Sequence, residues 1–559
     1  MLQKKMEEIF CRNIGVENLE EVNEWFRKDY QLYDAPKFCT EILKYKNKKV
    51  RIVGDYDGDG IFSTSIFFLG LKSAGFKHLD YCIPHRTDGF GLSEKIVWEC
   101  IVDEVDLILT CDNGTASIDA IKLAKENGIA VIVTDHHQPV MEGEGDDAVA
   151  VYPNADLIIN PSALPDTADF DKYCGAGIAY KLMCSLLGEK NDIVKKLSVM
   201  AGFATITDMM PLREENYKLV RKALKNARNP KYLTNGLNAL LSFFHLHYID
   251  EKDIGFKIGP VLNASERMNP GTAHKMVELV TSELPYTECL ELAEQANNVN
   301  IQRKETQKKM MTLALDVIKE QNLENRVPLI VYLPNQKEGL SGIIAGNLAD
   351  KYKVPTIVLT DSSNTKGVIK GSARSKGNCN MKEELDAVSH LLLSHGGHKE
   401  AGGLSLKLEN LETFRECMEI NLIDYVYEDE CDMPYDLEIS ASQLPEVIKC
   451  LDLFKPFGMG NPNFRLKITD YTLTSSYGKY CTISPESKTI KLYSGFCNAI
   501  GFGMADKMGE IISPQNFSLC GVITKNSYMG KQTPMIEFYD FENHTKENKT
   551  LLAQKMASI

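Results

Sequence analysis

Residues 50–65 read VRIVGDYDGDGIFSTS, and the rest of the chain is best read outward from them. Val50, Ile52 and Val53 lead into Gly54, Asp55, Asp57 and Asp59 alternate, and Gly60 opens an apolar run of helical character. Three carboxylates at a strand-to-helix turn repel one another strongly unless a cation sits among them. Hard oxygen ligands on a rigid turn suit Mg²⁺ or Mn²⁺. An Asp/Gly-rich surface turn is the plain alternative.

Strands are expected at 50–54, 105–111, 129–134 and 156–160, with helices at 61–74 and 116–127. That alternation gives βαβ units and a parallel sheet, in which ligands gather beyond the carboxyl ends of the strands. VDLILT is followed by Cys111-Asp112-Asn113-Gly114, and IAVIVT by Asp135-His136-His137. Three predicted strands therefore end in metal-ligand residue types, which together read as a binuclear metal site. Adjacent histidines on an extended chain point to opposite sides, so one would ligate metal while the other reaches substrate or supports the metal ligands from behind. Residues 173–282 read as mainly helical, with Gly175-Ala176-Gly177 opening one segment. In AGFATITDMMPL, Asp208 is a lone carboxylate in an apolar helix, costly unless paired or metal-bound. It is the candidate for the ligand that bridges or closes the site, and a helix-ending cap before Pro211 is the alternative.

Residues 283–322 carry a long amphipathic helical pattern of connector length. A second α/β unit follows, with strands at 328–333, 356–360, 367–372 and 403–408 and helices at 341–352 and 381–394. Its two glycine-rich spots are Gly371-Ser372-Ala373-Arg374-Ser375 and SHGGHKEAGG at 394–403. Glycines allow close approach, Arg supplies a bidentate fork, and Ser and His supply donors, a composition suited to phosphate. From about 431, short β-rich runs suggest a small all-β barrel or sandwich.

At 559 residues the chain is too long for one core, and about three to four domains are expected. With 43% hydrophobic and 25% charged residues it matches ordinary soluble proteins. No apolar run approaches the roughly 20 residues that span a bilayer, and the charged stretch MLQKKMEEIFCRNIGVENLEE is unlike a secretory signal. A cytoplasmic protein with no membrane contact is expected. The fifteen cysteines are scattered, with no CxxC pair, which argues against a disulfide framework, a zinc ribbon or an iron–sulfur cluster. A net charge of −14 does not advertise a nucleic-acid binder. Basic clusters at 44–51, 218–228 and 303–309 read first as solvated faces.

In order, GDYDGDG (54–60), TCDNG (110–114), TDHH (134–137), ATITDMMPL (204–212), GSARS (371–375) and GGHKEAGG (396–403) resemble the DHH phosphoesterase superfamily. PFGMGNP (456–462) and Pro84-His85-Arg86 with Gly89-Phe90-Gly91-Leu92 narrow the resemblance to the bacterial RecJ single-strand-specific exonucleases. It implies an α/β fold: an N-terminal segment (1–47), a DHH catalytic domain with a parallel sheet (48–282), a connector helix (283–325), a DHHA1 domain (326–428) and an OB-fold β-barrel (429–559). The implied activity is 5′→3′ hydrolysis of single-stranded DNA to 5′-mononucleotides in repair and recombination, with two Mn²⁺ or Mg²⁺ ions per site. Carried onto matching positions, Asp57, Asp59, Asp112, His136 and Asp208 are metal ligands, and Asp55, Asp135 and His137 are catalytic. Ser372, Arg374 and His398 hold the terminal phosphate or neighbouring backbone, while Arg86, Asn263 and Arg267 contact DNA. A monomer is implied, with a single-strand-binding protein and a helicase as partners. The chain departs from the family at Glu266, where Gly is usual. That carboxylate is expected beside Arg267, weakening strand binding or changing its preference. Gly402 and Gly58, each where Ala is common, are milder changes.

Two other functions compete. A phosphodiesterase for short oligonucleotides or cyclic dinucleotides would not need the C-terminal β module. A non-catalytic nucleic-acid-binding paralogue would be expected to have lost strand-end aspartates, and none is lost here.

Overall fold

A computed structural model describes residues 2–86, 91–143, 149–246, 248–427, 435–474, 476, 481–484, 488–505, 517–528 and 531–543. Gly89, Phe90 and the expected boundary at 428/429 lie outside the described residues.

The first sheet has β1 (Lys49–Val53), β2 (His78–Cys82), β3 (Leu107–Cys111), β4 (Ala130–Thr134) and β7 (Leu157–Ile159), all parallel, in the order β2-β1-β3-β4-β7. A separate antiparallel pair is formed by β5 (Val140–Glu142) and β6 (Val149–Val151). Central β3 is buried at every residue, as a strand covered on both faces must be. The apolar pattern does not predict β2, because HLDYC is an edge strand with half-exposed side chains. The helix Gly58–Ser73 starts directly after the Asp turn, with Asp57 as its N-cap. It is apolar nearly all round because helices Gly175–Leu187 and Asp192–Thr207 pack against it.

The connector is the helix Tyr286–Glu320, about 50 Å long at 1.5 Å per residue. Ala293 and Ala296 enter the catalytic core, whereas Met310, Ala314 and Ile318 enter that of the next domain. The second sheet holds β8 (Leu329–Tyr332), β9 (Thr356–Asp361), β10 (Val368–Arg374), β11 (Leu392–His398) and β12 (Ala401–Lys407), in the order β11-β12-β10-β9-β8. The helix expected at 381–394 stops at Ala387, and residues 392–398 form the edge strand β11 instead. A short apolar run such as LLLS suits either period. Gly396 pairs with Gly403 and Gly397 with Gly402 across the hairpin, so the backbones meet without side-chain bulk.

The C-terminal module contains β13 (Leu437–Ser440), β14 (Leu466–Tyr471), β15 (Cys481–Ser484), β16 (Thr489–Leu492), β17 (Asn498–Gly501), β18 (Phe517–Tyr528) and β19 (Lys531–Asn543), in the order β13-β14-β18-β19-β17-β16-β15. β13 and β14 are parallel, joined through the helix Leu444–Phe454. The N-terminal helices Leu2–Ile14 and Leu19–Arg27 share this module's core. The Phe10 ring lies 4.9 Å from Phe454, and Arg12 reaches Asp436 at 3.0 Å. Residues 1–47 therefore divide, because the helix Ala35–Leu43 packs into the catalytic core through Phe38 and Ile42.

Further contacts clasp the module to the catalytic domain. Arg221 donates to the carbonyls of Leu453 (3.4 Å) and Lys455 (3.1 Å) at the end of the helix Leu444–Phe454. Leu212 N–H donates to the Met459 carbonyl (2.7 Å), Phe457 N–H donates to Glu251 (3.1 Å), and Lys252 pairs with Glu537. The basic run at 218–228 is thus not simply a solvated face: Lys218 and Lys222 also donate, to the Lys28 carbonyl and the Tyr180 hydroxyl.

Candidate functional site

The carboxyl ends of β1, β3 and β4 bring the three motifs together. Asp57 Oδ1 accepts from the Asp59 and Gly60 N–H groups (3.0 and 3.1 Å), fixing the turn. Asp59, in the first helical turn and 1% exposed, accepts from the Gly175 and Ala176 N–H groups (2.6 and 2.8 Å). Those donors are the free N-terminus of the helix Gly175–Leu187, whose dipole favours the carboxylate. Position 175 must lack a side chain, since a Cβ there would stand 2.6 Å from the Asp112 Cβ.

Among the described residues, three groups have ligand atoms within 4.8 Å of one another: Asp59, His136 and Asp208; Asp55, Asp57 and Asp112; and Asp112, His136 and His137. His136 Nε2 lies 3.0 Å from Asp112 Oδ1, 3.7 Å from Asp59 Oδ2 and 3.8 Å from Asp208 Oδ2. Asp208 is not inside an apolar helix. It is the residue following the helix Asp192–Thr207, and its side chain is a quarter exposed. It closes one group, whereas Asp112 and His136 each belong to two.

The electrostatics explain why anions gathered this closely need company. Burial, then the charges of neighbouring aspartates, push the carboxyls of Asp55, Asp112 and Asp208 well above the ordinary range. Asp55 Oδ1 and Asp112 Oδ1 are buried with no hydrogen-bond partner. Orphaned oxygens beside imidazole nitrogen form a donor set that fits a divalent cation of the Mn²⁺ or Mg²⁺ type.

Asp135 differs. Burial pushes its carboxyl up, but hydrogen bonds and charge from His137, with N–H donors behind it, bring the net below the ordinary range. Its oxygens accept from the backbone of Thr115, His136 and His137 and meet His137 Nδ1 at 2.8 Å. Asp135 is therefore placed to position the histidine pair. The two imidazoles do not point to opposite sides: their centroids are 4.4 Å apart, because β4 ends at Thr134 and the extended-chain rule lapses there. Burial lowers the His137 pKa, but Asp135 outweighs it and carries the value to about 9. Burial and the charge of His137 lower that of His136.

Cationic groups stand around this edge. Arg86 lies over the Tyr56 ring at 5.2 Å. Arg267 donates to the Gly339 carbonyl (3.1 Å), and burial together with Arg86 pushes its guanidinium down to about 10. Burial and Arg86 also lower Arg374. Ser372 and Arg374 both face Gly342, at the start of the helix Ser341–Tyr352. Asn263 Oδ1 is buried without a partner. His398 is exposed at the end of β11, in register with Ala401 and, one strand further, with Arg374. Glu266 is not spent on Arg267: it is 1% exposed and accepts backbone N–H groups of 271–273 and of Arg86.

Three supporting residues escape the sequence reading. Asn113 donates to the Val53, Gly54 and Cys111 carbonyls, locking β1 to β3. Asn160 donates to the His137 carbonyl and to Thr115. Arg303, read as part of a solvated run, lines a cavity of about 970 Å³ with Asn263, Arg267, Phe256, Phe457 and Lys525. Asn113 lies within a quoted motif, but nothing local marks the other two.

Residues 49–205 match the DHH family N-terminal domain, 327–422 the DHHA1 domain and 435–540 the RecJ OB domain. The single-stranded-DNA-specific exonuclease RecJ of Bacillus subtilis is 30% identical over 505 residues, covering 89% of this chain and 61% of that protein. RecJ of Dickeya dadantii is 31% identical over 432 residues, covering 72% of each. A Thermus thermophilus RecJ structure in complex with Mn²⁺ superposes with a TM-score of 0.70 at 24% identity, over 92% of this chain and 71% of that one. An exonuclease RecJ structure bound to manganese superposes with a TM-score of 0.57 at 28% identity, over 71% of this chain and 95% of that one. The chain spans about three fifths of the length of the Bacillus subtilis relative. With its three domains in family order and its candidate metal ligands converging on one sheet edge, the chain belongs to the RecJ family of single-stranded-DNA-specific exonucleases.

Proposed function

We propose that the chain hydrolyses single-stranded DNA stepwise from its 5′ end to 5′-mononucleotides, using two divalent cations. The ligand groups joined through Asp112 and His136 carry this reading. One ion would be held by Asp59, His136 and Asp208, the other by Asp55 and Asp57, with Asp112 between them. The manganese found in a RecJ structure 28% identical to this chain supports the choice of metal. When bound, such a pair lowers the pKa of a water and offsets charge on the phosphate oxygens.

The chain's own groups do the positioning. Asp135 orients His137, whose side chain is 42% exposed toward incoming substrate. Burial and the nearby Arg86 depress Arg267 and Arg374, so an arriving phosphate relieves a cost already present. Ser372 and His398 would add donors at that end. The cavity, with Arg303 and Lys525 among exposed or half-buried aromatic and aliphatic walls, suits an unpaired strand held by phosphate contacts and stacking. The same reading keeps the divisions 48–282, 283–325, 326–428 and 429–559. It places the enzyme in the cytoplasm as a monomer in DNA repair and recombination, alongside a single-strand-binding protein and a helicase. Among the described residues, no helix is long and apolar enough to cross a membrane.

The test is nucleotide release from 5′-labelled single-stranded DNA with Mn²⁺, against duplex DNA, RNA and a dinucleotide. Stepwise mononucleotides from the single strand alone, lost in Asp112→Asn, are expected. Cleavage of the dinucleotide without strand degradation would overturn the strand-exonuclease reading, and binding without hydrolysis would overturn catalysis altogether.

A further inference from the structure

Glu266 lies in the helix Gly259–Met268 with its carboxylate turned into a cage of backbone donors. Gly271 N–H reaches both oxygens (2.9 and 2.8 Å), and Thr272 and Ala273 N–H reach Oε2 (3.1 and 3.3 Å). The remaining donor comes from far along the chain: Arg86 N–H donates to Oε1 at 2.9 Å. A second contact joins the same two segments. Gly271, at φ +84°, leaves the space its Cβ would fill to the His85 ring, 2.3 Å away. The 271–273 turn and the 85–86 segment therefore hold each other, and Glu266 is the charge between them. Beyond this joint, the Arg86 guanidinium rests over Tyr56, between the ligand residues Asp55 and Asp57.

We infer that Glu266 is a positioning residue: it fixes the backbone of Arg86 so that the guanidinium stands at the metal edge, ready for a substrate phosphate. This reverses the sign expected from sequence, because the carboxylate supports strand binding rather than opposing it. The inference rests on the exonuclease reading for the identity of the phosphate, not for the joint itself.

The test is a double-mutant cycle on the full chain with Glu266→Gln, Arg86→Ala and the pair. Gln retains one acceptor oxygen. With that oxygen on the 271–273 turn, its amide NH₂ opposes the Arg86 N–H and breaks that contact, while Gly271 N–H loses one of its two acceptors and keeps the other. Loss of a charge-assisted hydrogen bond is expected to raise KM for single-stranded DNA about tenfold while leaving kcat within about twofold. In the Arg86→Ala background the same substitution is expected to change KM by less than about twofold, because the group being positioned is gone. Independent, multiplicative losses would overturn the inference, as would a fall in kcat with KM unchanged. Glu266→Asp keeps the charge and shortens the reach. It repeats the cycle if the Gln variant fails to fold, and additivity there counts equally against the inference. Anisotropy of a 3′-labelled oligonucleotide in EDTA measures the same coupling as affinity. If the wild-type chain releases no nucleotide but the binding cycle remains non-additive, the exonuclease reading fails and the joint stands. Additive binding with normal nucleotide release does the reverse.

Discussion

Replacing Asp112 by Asn removes a negative charge from two of the three ligand groups at once. We expect both ions to be lost, seen as disappearance of tight Mn²⁺ binding in calorimetry, with nucleotide release down by at least about 10³-fold. Gly175→Ala probes the same spot from behind, because a methyl group 2.6 Å from the Asp112 Cβ forces the helix N-terminus or the ligand to shift. The expected result is weaker Mn²⁺ binding in a protein that still folds, and unchanged metal affinity would contradict it. At this scale the sequence made legible the gathering of Asp55, Asp57, Asp59, Asp112 and His136 at one sheet edge, because that follows from residue type at the strand ends. It misled where a role depends on which partner stands opposite. Asp135 is occupied by four donor contacts, and Glu266 faces a turn rather than Arg267.

Among the elements, Asp436, where the N-terminal helices meet the C-terminal module, gives stability a pH signature. Burial pushes the Asp436 carboxyl up, but hydrogen bonds from Arg465, with Arg465 and Arg12 charge, bring it below its ordinary value. A depressed carboxyl contributes stability that is present above its unfolded pKa of about 4 and lost as pH falls through the folded value. Asp436→Asn should therefore cost about 1–2 kcal/mol near neutrality. The gap from wild type, followed by denaturant titration at several pH values, should close in acid. Arg12 is 60% exposed, so most of that difference belongs to Arg465. Arg221→Ala tests the clasp on the other side: losing the donor to the Leu453 and Lys455 carbonyls should speed proteolysis between the module and the catalytic domain. Long periodic elements such as the connector were legible in sequence. The strand β11 was not, since only its pairing with β12 distinguishes LLLS from a helix end.

For the whole molecule, with a charge of −14, the cavity is lined by Arg267, Arg303, Lys455 and Lys525 together with Asp250, Glu251 and Asp452, and salt dependence tests whether those cations hold the strand. Lys525, whose ammonium is lowered by desolvation and by Lys455, lines that cavity with Arg303. Lys525→Ala should weaken strand binding for all base sequences alike and reduce the slope of log K against log salt by about 1. A slope equal to wild type would place the strand elsewhere.

The core shared by the first two helices and the C-terminal sheet also bears on how the chain is made. Arg12 and Asp436 are 424 positions apart, so at ~5–20 residues per second the ribosome reaches the second roughly 20 to 85 s after the first. Throughout that interval Met6 and Phe10 lack the C-terminal module that covers them. The helix Leu2–Ile14 is thus made well before the surface that covers it, and during translation its apolar face is a target for a chaperone.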